Sequence, residues 1–184
     1  KGRRVVRLKA GDPGIFGRAT EELDAARAAG VAVEIVPGVT AASAASAVLG
    51  QSLTVRGQTD TLVLTTGQHC DGDAAETCAD HALPGTTLVF YMGVSAAPKI
   101  GQSLLKKGLC VSTPVTIAAD VSKRDQRVLT TTIADLAHEI SRNSIVGNAL
   151  FIIRIPRIEQ SRHTENMRDS ATPRGLLQHL SETS

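Results

Sequence analysis

The residues most able to do chemistry lie in one run near the start of the chain, Gly11-Asp12-Pro13-Gly14. Gly11 has no Cβ, so a ligand can approach its backbone closely. Asp12 can accept hydrogen bonds, from a ligand ammonium or from a loop amide, and Pro13 stiffens the exit. Val5, Val6 and Leu8 precede the run, and Ile15 and Phe16 lead from it into a helix. A strand, a glycine-containing turn and a helix describe the carboxyl edge of a parallel sheet, where open α/β folds bind ligands. Gly-Asp-Pro is also an ordinary turn, and the three residues alone do not separate the two readings. A second constellation is His69-Cys70 with Cys78 and His81. Cys78 and His81 stand three apart on one helical face, but no standard zinc spacing is matched, so no metal site is assigned.

The elements that must hold these residues follow from hydrophobic period and turn chemistry. Residues 1–9 read as a strand and Thr20 to Ala29 as a helix, with Thr20 as cap and Glu21 and Glu22 at its positive end. Val31 to Val36 reads as a buried parallel strand. Thr40 to Leu49 is a helix of small residues closed by Gly50, able to approach a neighbour or a ligand closely. After an irregular linker, 51–60, come a strand at 61–66, a helix at 73–82, a strand at 86–92 and a helix at 96–107. A hairpin at 113–119 and 126–131, a helix at 133–141 and a strand at 149–155 complete the series. This order predicts an α/β protein with two layers, the second on a mixed sheet. The expected divisions are 1–57, 58–157 and a polar, disordered tail at 158–184 carrying a short amphipathic piece at Leu176, Leu177 and Leu180.

The 184 residues are 42% hydrophobic but only 2% aromatic, so the core must rest on Val, Leu, Ile and Ala. With 20 basic and 18 acidic side chains, the balance gives no reason to expect nucleic-acid binding. No apolar run approaches membrane-spanning length. Three scattered cysteines suit a reducing, cytoplasmic setting.

The longer string Val-Arg-Leu-Lys-x-Gly-Asp-Pro-x-Ile-Phe-Gly-Arg, ending at Arg18, resembles the tetrapyrrole (corrin/porphyrin) methylase family. Later segments agree in order: Val36-Pro37-Gly38-Val39-Thr40-Ala41-Ala42, Leu53-Thr54-x-Arg56, Thr66-Gly67, Leu88 to Gly93 and Gln126-Arg127-Val128. Within the family the resemblance is greatest to the uroporphyrinogen-III C-methyltransferase branch, which also forms the methylase half of sirohaem synthase. It covers Lys1 to about Pro156. It implies a tetrapyrrole methylase-like fold, with an incomplete N-terminal parallel α/β domain and a C-terminal mixed-sheet domain. It implies S-adenosylmethionine as cofactor, S-adenosylhomocysteine as its product, an acidic tetrapyrrole as substrate and a homodimer.

By the same resemblance, cofactor contacts fall at Ala10, Gly11, Asp12, Ile15, Thr40, Ala41, Met92 and Val121. Met92 is open to a second reading as plain core. The carboxylates of such a substrate favour arginine for paired recognition, which makes Arg7, Arg18 and Arg56 the candidates, with Lys9 adjacent. Taken singly, each reads first as a solvated surface charge. The chain departs from the family pattern at several places. Ala10 replaces a glycine, which is tolerable only where φ stays negative. Ala19-Thr20 replaces a glycine pair, Val55 a histidine, and Ala119 and Val121 the usual Glu and Gly. Gln68 separates Gly67 from His69, which adjoin in the family.

The family's opening strand, its Gly-x-Gly-Pro-Gly-Asp loop and the Asp and Lys used as proton acceptor and donor have no counterpart in this sequence. The catalytic residues are therefore expected in that region, and the chain as given is expected to be incompetent by itself. Exposed strand edges at Val5-Val6 and Val31 to Val36 would favour dimers or aggregates. Two other readings remain: a non-catalytic cofactor-binding or dimerising remnant, and a methylase for a later corrinoid intermediate.

Overall fold

A computed structural model describes residues 2–67 and 79–157. Its centre is a five-stranded sheet of β1 (Thr61–Thr66), β2 (Thr86–Tyr91), β3 (Pro114–Ala119), β4 (Arg127–Thr132) and β5 (Ala149–Ile155), in the order β1-β2-β5-β3-β4. β1 and β2 run parallel, with Thr61 opposite Thr86, and every other pair is antiparallel. The sheet is therefore mixed, as the sequence predicts.

Alternation along the strands sends side chains to two faces. Leu88, Phe90, Val115, Ile117, Phe151 and Ile153 pack beneath α3 (Ala97–Lys106) and α4 (Leu136–Arg142). Val89, Tyr91, Ala118, Leu150 and Ile152 pack on the opposite face beneath α2 (Ala41–Leu49). β2 is covered on both faces and flanked on both edges, and all six of its residues are buried. Pro98 lies in the first turn of α3, where a missing N–H costs nothing, and Ile100 and Leu104 share its buried face. In α2, Ala42 and Ala45 lie three apart and are fully covered, so the helix sits close on the sheet. Gly50 ends it in the left-handed conformation.

Three expectations need correction. The strands expected at 1–9 and 31–36 do not form: both segments lack a ladder partner among the described residues. Val5 and Leu8 are 87% and 82% exposed, and Val33 and Ile35 are 52% and 46% exposed. A strand exists only through its neighbours, and apolar, β-branched composition does not supply one. The first helix, α1 (Ala19–Ala28), is not capped by Thr20, which lies inside it. Its N-cap is Arg18 with φ 56° and no side-chain cap. Finally, α4 begins at Leu136 rather than Ile133. The hydroxyl of Thr132 donates to Asp135 Oδ2 at 2.9 Å and holds the intervening residues in a turn.

His69, Cys70 and Cys78, most of the helix expected at 73–82, and the tail at 158–184 lie outside the described residues. No described helix is long and apolar enough to cross a membrane. Phe151 is fully buried, and its ring fills the space where a Cβ on Gly93 would otherwise lie. Phe151→Ala is expected to destabilise the fold by about 3–5 kcal/mol, read from the urea unfolding midpoint.

Candidate functional site

Asp12 joins two loops that are distant in sequence. One carboxylate oxygen accepts from the Gly14 amide at 2.8 Å, and the other accepts from the Gly38 amide at 3.0 Å. Of the two partners open to Asp12, a loop amide is the one this structure shows. The contact requires glycine: a Cβ on Gly38 would stand 2.4 Å from the Gly11 carbonyl oxygen. Gly11 itself has φ 75°, the left-handed region, and a Cβ on Gly17 would stand 2.5 Å from the Pro13 oxygen. The loop is thus folded on itself and clamped to Pro37-Gly38.

A second junction forms around Tyr91, at the end of β2. Its hydroxyl lies 2.6 Å from Thr40 Oγ1 and accepts from the Ala42 amide at 3.1 Å. Thr40 is the N-cap of α2, yet its side chain makes no cap bond, because the hydroxyl is engaged with Tyr91. Tyr91 instead satisfies one of the free amides at the helix start. The Phe16 ring, from the Asp12 loop, lies 4.8 Å from the Tyr91 ring, centroid to centroid, with the planes tilted by 49°. Met92 follows with φ 52°, and Met92, Val121 and Ala41 pack against the apolar cluster that contains Tyr91.

Most of the residues carried over as cofactor contacts are therefore neighbours. Gly11 and Asp12 meet Gly38. Ile15 bonds back to the Asp12 carbonyl at 3.2 Å, and Thr40, Ala41, Met92 and Val121 gather about Tyr91. Ala10 lies beside them with φ outside the left-handed region, so the loss of the family glycine carries no strain there. The same holds at Val121, where the positive φ values fall on its neighbours Asp120 and Ser122.

Three of the four candidate cations sit on glutamates of α1. Arg7 Nη2 lies 3.4 Å and Lys9 Nζ 2.8 Å from Glu22. Lys9 also donates to the Gly17 carbonyl, and its side chain is only 15% exposed. Arg18 pairs with Glu21 at 3.0 Å. The Lys9 hydrogen bond holds the Glu22 carboxyl below its ordinary range, and the Arg18 hydrogen bond does the same for Glu21. Arg56 occupies the turn closed by the Val55–Thr59 bridge and is exposed.

Sequence reasoning passed over Tyr91 and gave Phe16 no role. The available signal was that Tyr91 is the only tyrosine in a chain without tryptophan. The junction offers an open loop backbone, a hydroxyl, a helix start and partly exposed apolar side chains at Ile15 and Phe16. Such a set fits a ligand that joins a flat apolar ring to a polar amino-acid end, as S-adenosylmethionine does. It does not fit a metal, and no cluster of metal-ligating side chains occurs among the described residues.

Comparison with known proteins gives a consistent picture. The sequence profile of the tetrapyrrole (corrin/porphyrin) methylases matches residues 1–137. A siroheme synthase of Pseudoalteromonas translucida is 41% identical over 165 residues, 89% of this chain and 35% of that protein. One of Pseudomonas entomophila is 40% identical over 83% of this chain and 33% of its own length. The chain thus spans about a third of these relatives. Among solved structures, the uroporphyrin-III C-methyl transferase of Thermus thermophilus, complexed with S-adenyl homocysteine, superposes with a TM-score of 0.67 at 31% identity. That match covers 82% of this chain and 65% of the other. A cobalt precorrin-4 methyltransferase gives 0.68 at 25% identity, over 78% of this chain and 61% of the other.

Two outcomes follow from this geometry. Gly38→Ala should force the two loops apart and cost about 1–3 kcal/mol in urea unfolding. The lowered Glu22 carboxyl contributes stability that is fully present above its ordinary value of 4.5. That contribution is lost as pH falls through the lower folded value, so Glu22→Gln should flatten the acid limb of the stability–pH curve.

Proposed function

The chain belongs to the tetrapyrrole (corrin/porphyrin) methylase family, and from that premise we propose that it serves the S-adenosylmethionine-dependent C-methylation of uroporphyrinogen III to precorrin-2. The observation that carries this reading is the junction of Asp12, Gly38, Thr40 and Tyr91-Met92 in one place. When bound, the cofactor supplies a methyl group on a sulfonium, already activated for transfer. The work left to these residues is positioning. Gly11 and Asp12 present backbone, Thr40 and Ala41 present the start of α2, and Met92 and Ile15 offer apolar contact. The reading places residues 1–57 in the cofactor-binding part and 58–157 in the sheet domain. It assigns no proton donor or acceptor among the described residues.

Of the three arginines, Arg56 is the proposed contact to the substrate carboxylates. Arg7 and Arg18 are held by α1 glutamates, whereas Arg56 makes no ion pair or hydrogen bond among the described residues. The family resemblance and the exposed apolar residues at 5–8 and 31–36 support a homodimer, and the three scattered cysteines support a reducing, cytoplasmic setting.

Isothermal titration with S-adenosylhomocysteine tests the cofactor reading. Saturable one-to-one binding is expected, and no heat at any ligand concentration would end it. The activity reading is tested with uroporphyrinogen III and S-adenosylmethionine, on this chain and on a version extended upstream in its gene. Absence of methylated product from both would refute it. In whichever form is active, Arg56→Ala should raise the KM for uroporphyrinogen III several-fold and leave cofactor affinity unchanged.

A further inference from the structure

We infer that Tyr91 is a positioning residue that fixes the direction of the Thr40 hydroxyl, so that Thr40 meets its ligand as a hydrogen-bond donor. The inference rests on the cofactor reading above and names how one of its groups is set. It follows from counting protons. Tyr91 is 8% exposed, and its oxygen has two polar neighbours among the described residues, the Ala42 amide at 3.1 Å and Thr40 Oγ1 at 2.6 Å. An amide can only donate, so Tyr91 accepts from Ala42. If Thr40 also donated to it, the phenol proton would be buried with no acceptor among the described residues. A buried donor left unpaired is costly, so Tyr91 donates to Thr40. Thr40 Oγ1 then accepts from Tyr91, and its own proton is free for another group.

The chain runs in one direction: Ala42 amide to Tyr91 hydroxyl to Thr40 hydroxyl to ligand. Its polarity is set by the backbone of α2, which cannot reverse. Phe16 and the apolar cluster fix the ring from the sides, so the phenol has little freedom to seek another partner. Thr40 therefore has its proton to offer to a ligand lone pair, such as that of a carboxylate or a ring nitrogen.

The full chain tests this directly. Tyr91 is the only tyrosine and tryptophan is absent, so tyrosine emission reports on this junction alone. Titrating S-adenosylhomocysteine into the unmodified chain should change that emission, and calorimetry gives the affinity of each variant. Tyr91→Phe and Thr40→Val are each expected to weaken binding about five- to tenfold. The double variant should be no weaker than either single one, since both break the same chain. Thr40→Ser keeps the hydroxyl and should bind within about twofold of the unmodified chain. Losses that multiply in the double variant, or Tyr91→Phe binding unchanged, would overturn the inference while leaving the cofactor reading intact. Should Tyr91→Phe fail to fold, Thr40→Val against Thr40→Ser decides: equal binding by the two would overturn it. No binding by the unmodified chain would overturn both.

Discussion

The hydrogen bonds at the Tyr91 hydroxyl tie the end of a sheet strand to the start of a helix lying 51 residues earlier in the chain. The organisation of the first forty residues depends on that tie. α1 buries no residue, and the extended segments on either side of it are open to solvent. What holds this part to the sheet is α2, through Ala42 and Ala45, together with the Phe16 ring and the bonds at Tyr91. The Asp12 carboxylate then passes the constraint from Gly38 to the loop after residue 10.

Stability is therefore distributed unevenly. The sheet has a large aliphatic core on one face, including Leu88, Leu104, Ile117, Phe151 and Ile153. The site lies on the other face, where the cluster is smaller and partly made of alanine. A region with few buried apolar contacts opens locally at lower cost than a core strand. Left-handed backbone at Phe16 and Met92 adds strain at the same junction. Such a site gains most from a ligand that bridges its loops.

Much of the sheet was legible in the sequence. β1 and β5 form where expected, because each is a short run of apolar and β-branched residues bounded by turns. The β3–β4 hairpin was legible too, from two such runs separated by a polar turn. The same signal misled at Val5 to Leu8 and Val31 to Val36, since propensity describes how a residue fits a pleated surface, not whether a neighbouring strand is there. In the site, Gly11 and Asp12 stood out by residue type, and Thr40 and Met92 came from the resemblance of whole motifs. Tyr91 did not, because bonds between residues so far apart leave no periodic trace. The ion pairs of Arg7 and Arg18 were not legible for a related reason: both look free in sequence, but α1 brings glutamates to each.

The exits of the two parallel strands meet backbone to backbone. A Cβ on Gly67 would lie 2.6 Å from the Cα of Gly93, and one on Gly93 would lie 2.6 Å from the Phe151 ring. Each position already carries the smallest residue there is, so neither can yield to the other. In a mutagenesis library, side chains at Gly67 would thus have no second-site rescue at Gly93. The pair forms a dead end for sequence drift directly beside Met92 and the Tyr91 junction.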